Sequence, residues 1–305
     1  MSSPTDKQIE TAQPIAMDTR EEKPETPFSR FLKNFVQRKI SIIGFVILVS
    51  IIVIAICAPF IATHAPTEQN LVDRIKEPSG DYFFGTDKYG RDVFSRVVYG
   101  ARISLLVAFV ASGIGLVIGG ISGAISAYYG RWLDNVVMRI MDILLSFPSI
   151  LLALLIMAFL GPSMTNIMIA IGITAIPEFA RVARSSILSL KESDYVLAEH
   201  SMGASDFRIL FKHIIPNGLA PVIVLFSLKM GTAILVEASL SFLGLGVDPS
   251  IPSWGSIIAD GRNLLREAPW ISVSAGIAVM ITVIGFNFIG DGLRDALDPK
   301  INKTG

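Results

Sequence analysis

An all-α bundle of six membrane-spanning helices is the fold class this sequence predicts, and three observations carry the expectation. Hydrophobic residues make up 51% of the 305 residues and charged ones 17%, with a mean hydropathy of +0.58, a balance shifted away from that of soluble domains. The apolar residues collect in charge-free runs of about 20, the length a helix needs to cross a hydrocarbon core of about 30 Å. No run alternates with a period of two. A β-barrel is therefore excluded, and helices must pair the backbone in lipid.

Residues 1–39 form a tail whose first 27 positions are polar and carry Pro4, Pro14, Pro24 and Pro27. It has neither an apolar centre nor a small-residue cleavage pattern, which predicts a disordered cytoplasmic segment and not a signal peptide. The first span is residues 40–61, uncharged throughout. Residues 62–102 form an extracytoplasmic loop with six basic and six acidic side chains, read as a folded, salt-bridged segment. The second span runs from Ile103 to Tyr128, where Gly115, Gly119 and Gly123 recur every four residues and mark close packing on a neighbouring helix. From Ile143 to Pro177 the chain is uncharged but too long for one crossing, and Gly161-Pro162-Ser163 divides it. The third span thus starts near Val136 and carries Arg139 and Asp142, and the fourth extends from about Thr165 to Arg184. Leu219 to Gly246 is the fifth, interrupted by Lys229 and Glu237, and Ile271 to Gly290 the sixth. Residues 103–290 make a five-helix core, and 291–305 a cytoplasmic C-terminal tail.

Sixteen Lys and Arg lie near helix ends on the side of the N-terminus and eight on the other, so the positive-inside rule places both termini and residues 185–217 in the cytoplasm. A formal net charge of zero supplies no field for nucleic acid, and the single cysteine, Cys57, excludes an internal disulfide or a cysteine zinc cluster. There is no G-x-x-x-x-G-K-[ST] phosphate loop, and His64, His200 and His213 form no H-E-x-x-H. Neither an ATPase nor a zinc peptidase is expected, and no cofactor or metal is assigned to the chain. A membrane enzyme built on Asp142, Glu178 or Glu237 would set them in a recognisable local sequence, which is missing.

Embedded charges need a partner or a wet path. Arg139 with Asp142, and Glu178 with Arg181, are three apart on one helical face; each pair either neutralises itself or lines a solute path. Lys229 and Glu237, eight apart, are too distant to pair within their helix and are expected on the path. The 185–217 loop reads as a helix, a turn at Gly203, and a second helix opened by Ser205 as N-cap with Asp206 in its first turn, before Pro216 leads into the fifth span. Such a rigid knob fits a groove of a mechanical partner; the alternative is a surface helix on lipid headgroups.

The loop resembles the cytoplasmic motif E-A-A-x3-G-x9-I-x-L-P of binding-protein-dependent ABC importer permeases. Ala198, Gly203 and Pro216 match, with Ala204 and Ser205 following the glycine; Leu197 replaces the Glu, Glu199 the second Ala, His213 the Ile and Ile215 the Leu. Glu199 is rotated about 200° from position 197 and does not substitute for the missing acid. Phe84-Gly85-Thr86-Asp87 through Gly90-Arg91-Asp92, Ser95-Arg96, Gly100, Arg102 and Ser104-Leu105 resembles the outer-loop motif of peptide permeases. Ser239 to Gly246 with Pro252 and Trp254-Gly255 is similar to their fifth-span exit, and Gly290 to Pro299 to their C-terminal tail. The resemblance covers about residues 28–300 and points to the C-type subunit of dipeptide, oligopeptide and nickel importers. It implies a second, B-type permease, two ATPase subunits that hydrolyse ATP, and an extracytoplasmic solute-binding protein. Peptides lead as solute, followed by glutathione, nickel chelates and opine-like compounds. A secondary transporter using Asp142, Glu178 or Glu237 as proton carriers is the rival, opposed by the lack of inverted halves with matching broken helices. A structural scaffold would move nothing.

Overall fold

The computed structural model describes residues 33–248 and 250–297; the tail predicted over residues 1–27 and residues 298–305 lie outside them. The first long helix, α1 (Lys39–Ile56), buries only Ser41, Gly44, Leu48 and Ala55, so nearly all of its apolar surface is available to lipid. It stops at Cys57, and Pro59 opens a separate short turn, Ala58–Ile61; the predicted 40–61 span is one helix plus this turn.

α2 (Val93–Tyr129) begins well before the expected Ile103. Asp92 caps it, accepting from the Ser95 N–H at 3.0 Å, and Arg96 is absorbed in buried ion pairs; charge therefore does not delay the helix. At Gly115–Gly119 it widens into a π turn. The small residues here serve close packing on α5 (Met164–Lys191): a Cβ at Gly119 would lie 2.3 Å from the Ile176 carbonyl oxygen, and one at Gly123 2.2 Å from that of Ala180.

The third span is corrected. It is a pair, α3 (Arg131–Leu145) and α4 (Ser149–Leu160), bent by 89°, because Pro148 disfavours helical geometry at Phe147. The break at Gly161-Pro162-Ser163 is present, and Ser163 caps α5 through the Asn166 N–H. The reversal after α5 contains α6 (Asp194–Ser201). The helix expected to begin after Ser205 does not end before the fifth span: α7 (Asp206–Phe242) is continuous. A π segment, Ile209–Ile214, sits just ahead of Pro216, a wider turn where the proline ring and missing N–H would disrupt a regular one. α8 (Trp254–Gly261) starts on a Ser253/Ser256 capping box. α9 (Pro269–Leu297) continues through residues 291–297, predicted as tail, with Asp295 paired to Arg38 at 3.0 Å.

Among the described residues, six crossings result when the bent pair counts as one. α7 packs on α2, α5 and α9, and α1 lies against α9. Ile167, Ile234, Leu240 and Trp254 belong to the main apolar core. A separate cluster surrounds the α5–α7 reversal.

Candidate functional site

The α5–α7 reversal is a small, firmly rooted knob. α6 ends in a Schellman motif, with the Gly203 N–H donating to the His200 carbonyl (3.0 Å) and the Ala204 N–H to that of Glu199 (3.1 Å), and Gly203 takes φ +81°. The turn is where the sequence placed it. Ser205 occupies the N-cap position without a side-chain cap bond; the Asp206 carboxylate instead accepts from the Tyr128 hydroxyl at 2.9 Å. Lys191 donates to the Tyr128 carbonyl at 2.5 Å. Beneath the knob, Val196, Ile209, Leu210 and Ile214 are buried with Ala124 and Ala127 of α2 and Ile187 of α5. On its outer side Leu197 is 55%, Met202 74% and Phe207 69% exposed. Ala198 and Pro216 are also exposed, while Ala204 and Ile215 are partly covered. A close-packed base under an apolar tip can pass a displacement of the tip into three spans.

The embedded charges pair between helices, which corrects the expected pairs within them. Arg181 meets Asp142 of α3 at 2.7 Å, and Glu178 meets Lys229 of α7 at 2.5 Å. Arg184 holds both oxygens of Asp134 at 2.7 Å. α5 thus turns successive charges toward different neighbours, and cross-helix geometry wins over the i,i+3 contacts. Arg139 is exposed. Glu237 is corrected too: it is 0% exposed and accepts from Ser241 (3.0 Å) and Ser253 (2.9 Å). It faces no path in this structure. Its carboxylate seats the segment entering α8, where a Cβ at Gly255 would lie 2.7 Å from Oε1.

At the opposite end of the bundle, the 62–92 segment is tied down by its charges, as expected of a salt-bridged fold. Arg91 bridges Asp87 (2.6 Å) and Asp260 (2.8 Å), and Lys88 joins Asp260 at 3.0 Å. Asp92 also accepts from Thr63 at 2.8 Å. The Thr86 hydroxyl accepts from the Lys76 N–H (2.7 Å), and its carbonyl from the Trp270 indole (3.2 Å). Gly85 and Gly90 both take positive φ, and Gly85 leaves no room for a Cβ beside Trp270. Asp73 is hydrogen-bonded by Lys76 and Tyr82, which hold its carboxyl below the usual range.

Residues 96–303 match the family described as binding-protein-dependent transport system inner membrane component. The chain belongs to this family. Residues 26–78 of the permease also match the N-terminal TM domain of oligopeptide transport permease C. It is 48% identical over 276 residues to the dipeptide transport system permease protein DppC of Alkalihalophilus pseudofirmus, covering 90% of this chain and 91% of that one. With the glutathione transport system permease protein GsiD of Pectobacterium atrosepticum it shares 39% over 283 residues, 92% and 94% of the two chains. A putative peptide transport system permease protein of Brucella suis is 42% identical over 281 residues, 92% and 95% of the two. Among solved structures, an inward-facing conformation of the MetNI methionine ABC transporter aligns with a TM-score of 0.55 at 21% identity, covering 67% of this permease and 96% of that chain. That likeness supports the permease fold. Nothing in these relationships favours an ion-coupled secondary transporter.

Two of the permease's departures from the knob motif adjoin each other: His213 Nε2 lies 3.6 Å from Glu199 Oε1, linking α6 to the π segment. Leu197, in the place of the motif acid, stays on the exposed side. Sequence reasoning missed Tyr128, whose place at a span end reads as an interfacial aromatic. It also missed Asp260 and Trp270, which reach Arg91 and Thr86 of the outer motif from 169 and 184 positions away.

Proposed function

We propose that this permease is the C-type half of the channel of a peptide importer, with the Gly203 knob and both termini in the cytoplasm. The observation that carries the reading is the knob: an apolar, exposed tip on a base buried against α2 and α5. The two-to-one excess of Lys and Arg on that side supports the orientation. The dipeptide, glutathione and peptide permeases among its relatives support a peptide-like solute. A B-type permease completes the channel, two ABC ATPases seat on the knobs, and an extracytoplasmic solute-binding protein delivers the solute to the Asp87–Arg91 end. This chain binds no nucleotide or other cofactor; ATP is hydrolysed by the partner subunits. ATP binding draws the ATPases together, and the knobs carry that motion into α5 and α7, rocking the bundle between inward-open and outward-open states. Asp142, Glu178, Arg181 and Lys229, polar groups at membrane depth on α3, α5 and α7, line the path.

The test is uptake of labelled alanyl-alanine by the complete complex in proteoliposomes. Uptake is expected to require both ATP on the knob side and the solute-binding protein. Uptake driven by an ion gradient without ATP would refute the reading.

A further inference from the structure

One buried polar group in the bundle has no role in the packing described above. Ser112 of α2 is 1% exposed, and its hydroxyl has no hydrogen-bond partner among the described residues. Among the other buried or partly buried helical serines, Ser126 and Ser227 donate to a carbonyl one turn back, and Ser241 to the Glu237 carboxylate. An orphaned buried hydroxyl is costly and points to a missing partner. Ser112 lines a cavity of about 30 Å³ whose wall also holds Ser149, Thr174, Glu178, Lys229 and Thr232. The space admits one water-sized group. Glu178 opens it outward, with 43% of its side chain accessible against 16% for Lys229.

The surroundings carry both signs of charge. When empty, the Glu178–Lys229 pair neutralises itself, which membrane depth requires. The hydroxyls of Thr174 and Thr232 already donate to the Ile171 and Leu228 carbonyls and face a guest as acceptors. Ser149 is the first residue of the twelve-residue α4, so the 89° break in the third span brings a helix N-terminus, with its partial positive charge, to the same cavity.

We propose that this cavity is a solute-contact site on the translocation path, where Glu178 and Ser112 receive the ammonium group of a zwitterionic solute while Lys229 and the N-terminus of α4 receive its carboxylate. The assignment rests on the peptide-import reading and adds the groups that recognise a free amino terminus. One internal ion pair is exchanged for two with the solute, so no charge is stranded as it enters or leaves. The cavity takes only the ammonium group; the carboxylate meets Lys229 and the N-terminus of α4 at its mouth, and the rest of the solute stays in the path beyond Glu178.

The experiment uses the full complex in proteoliposomes with alanyl-alanine as probe. Glu178→Gln is expected to lower uptake about tenfold to a hundredfold, the loss of a charge-assisted contact, while ATP hydrolysis stimulated by the binding protein persists. Exchanging the pair, Glu178→Lys with Lys229→Glu, should leave assembly intact without returning uptake; uptake at the parent level would show a purely structural pair and overturn the proposal. A second arm needs no change to the pair. Ser112→Cys in a Cys57→Ser background should react with a trimethylammonium methanethiosulfonate, and saturating alanyl-alanine should slow that reaction about tenfold, as occupancy of most sites requires. A thiol that is unreactive in every nucleotide state, or equally reactive with and without dipeptide, overturns the site. If the parent complex does not take up the dipeptide, the peptide reading falls, and reactivity of the S112C thiol without solute still decides whether the cavity opens on the path.

Discussion

Replacing Gly203 by valine isolates the role of the knob, because the structure separates backbone cost from crowding. Gly203 sits at φ +81°, and a Cβ there would meet nothing within 4 Å. The penalty is therefore conformational: about 1–2 kcal/mol for an L-residue in the left-handed region. Giving up the two Schellman bonds to avoid that strain would cost about 1 kcal/mol each. Either route lowers the population of the native turn by about 5–30-fold. The main core is built from other residues, so the variant should insert and pair with its partner permease. The assay is co-purification of the ATPases and their solute-stimulated hydrolysis, with Gly203→Asn as control, since asparagine tolerates this region. We expect Gly203→Val to lose both signals and Gly203→Asn to keep most of them. A valine variant that captures and stimulates the ATPases like the parent, or an asparagine variant as impaired as valine, would refute the reasoning.

Other expectations follow from the same geometry. Leu197→Asp places a charge on the exposed knob face and removes an apolar contact of about 1.5–3 kcal/mol; ATPase affinity, measured by detergent-solution titration, should fall about tenfold or more. Gly90→Ala puts a Cβ 1.8 Å from the Asn70 carbonyl oxygen at φ +69°, so the 62–92 segment must shift. Limited proteolysis should cut it faster, and an unchanged rate would contradict the fold given to this loop. The folded Asp73 carboxyl titrates below its unfolded value of about 3.9, so its contribution is present above that pH and is lost as pH falls through the lower folded value. The protection factors of amides 70–76, that is, exchange rates corrected for their intrinsic pH dependence, should match at pH 7 and pH 5 and fall only below about pH 4; a loss of protection between 7 and 5 would contradict it.

Much of this architecture is legible in the chain. Charge-free runs located α1, α2, α5, α7 and α9, and the Gly161-Pro162-Ser163 break and the Gly203 turn were visible as local chemistry. Helix starts were less visible: Arg96 suggested a loop, yet Asp87 and Asp260 neutralise it within the fold. Prolines were ambiguous, since Pro148 breaks a span while Pro177 and Pro221 lie inside helices; the tertiary setting decides which. Local spacing sees only partners a turn away, so it paired Arg181 with Glu178, where the bundle supplies Asp142 and Lys229. Glu237 looked like a path residue because Ser253, the hydroxyl that binds it, comes from the segment entering α8. Ser112 gave no signal, because its missing partner is a property of the packed state.

The knob is proposed to meet an ATPase, and a photo-crosslinker at Met202, 74% exposed at the knob, tests that contact directly. In the complete complex under illumination, the predicted product is an adduct of this chain with the ATPase subunit whose yield changes when nucleotide is added. Adducts with lipid alone, or labelling of the same position by an impermeant reagent from outside intact cells, would contradict the claim.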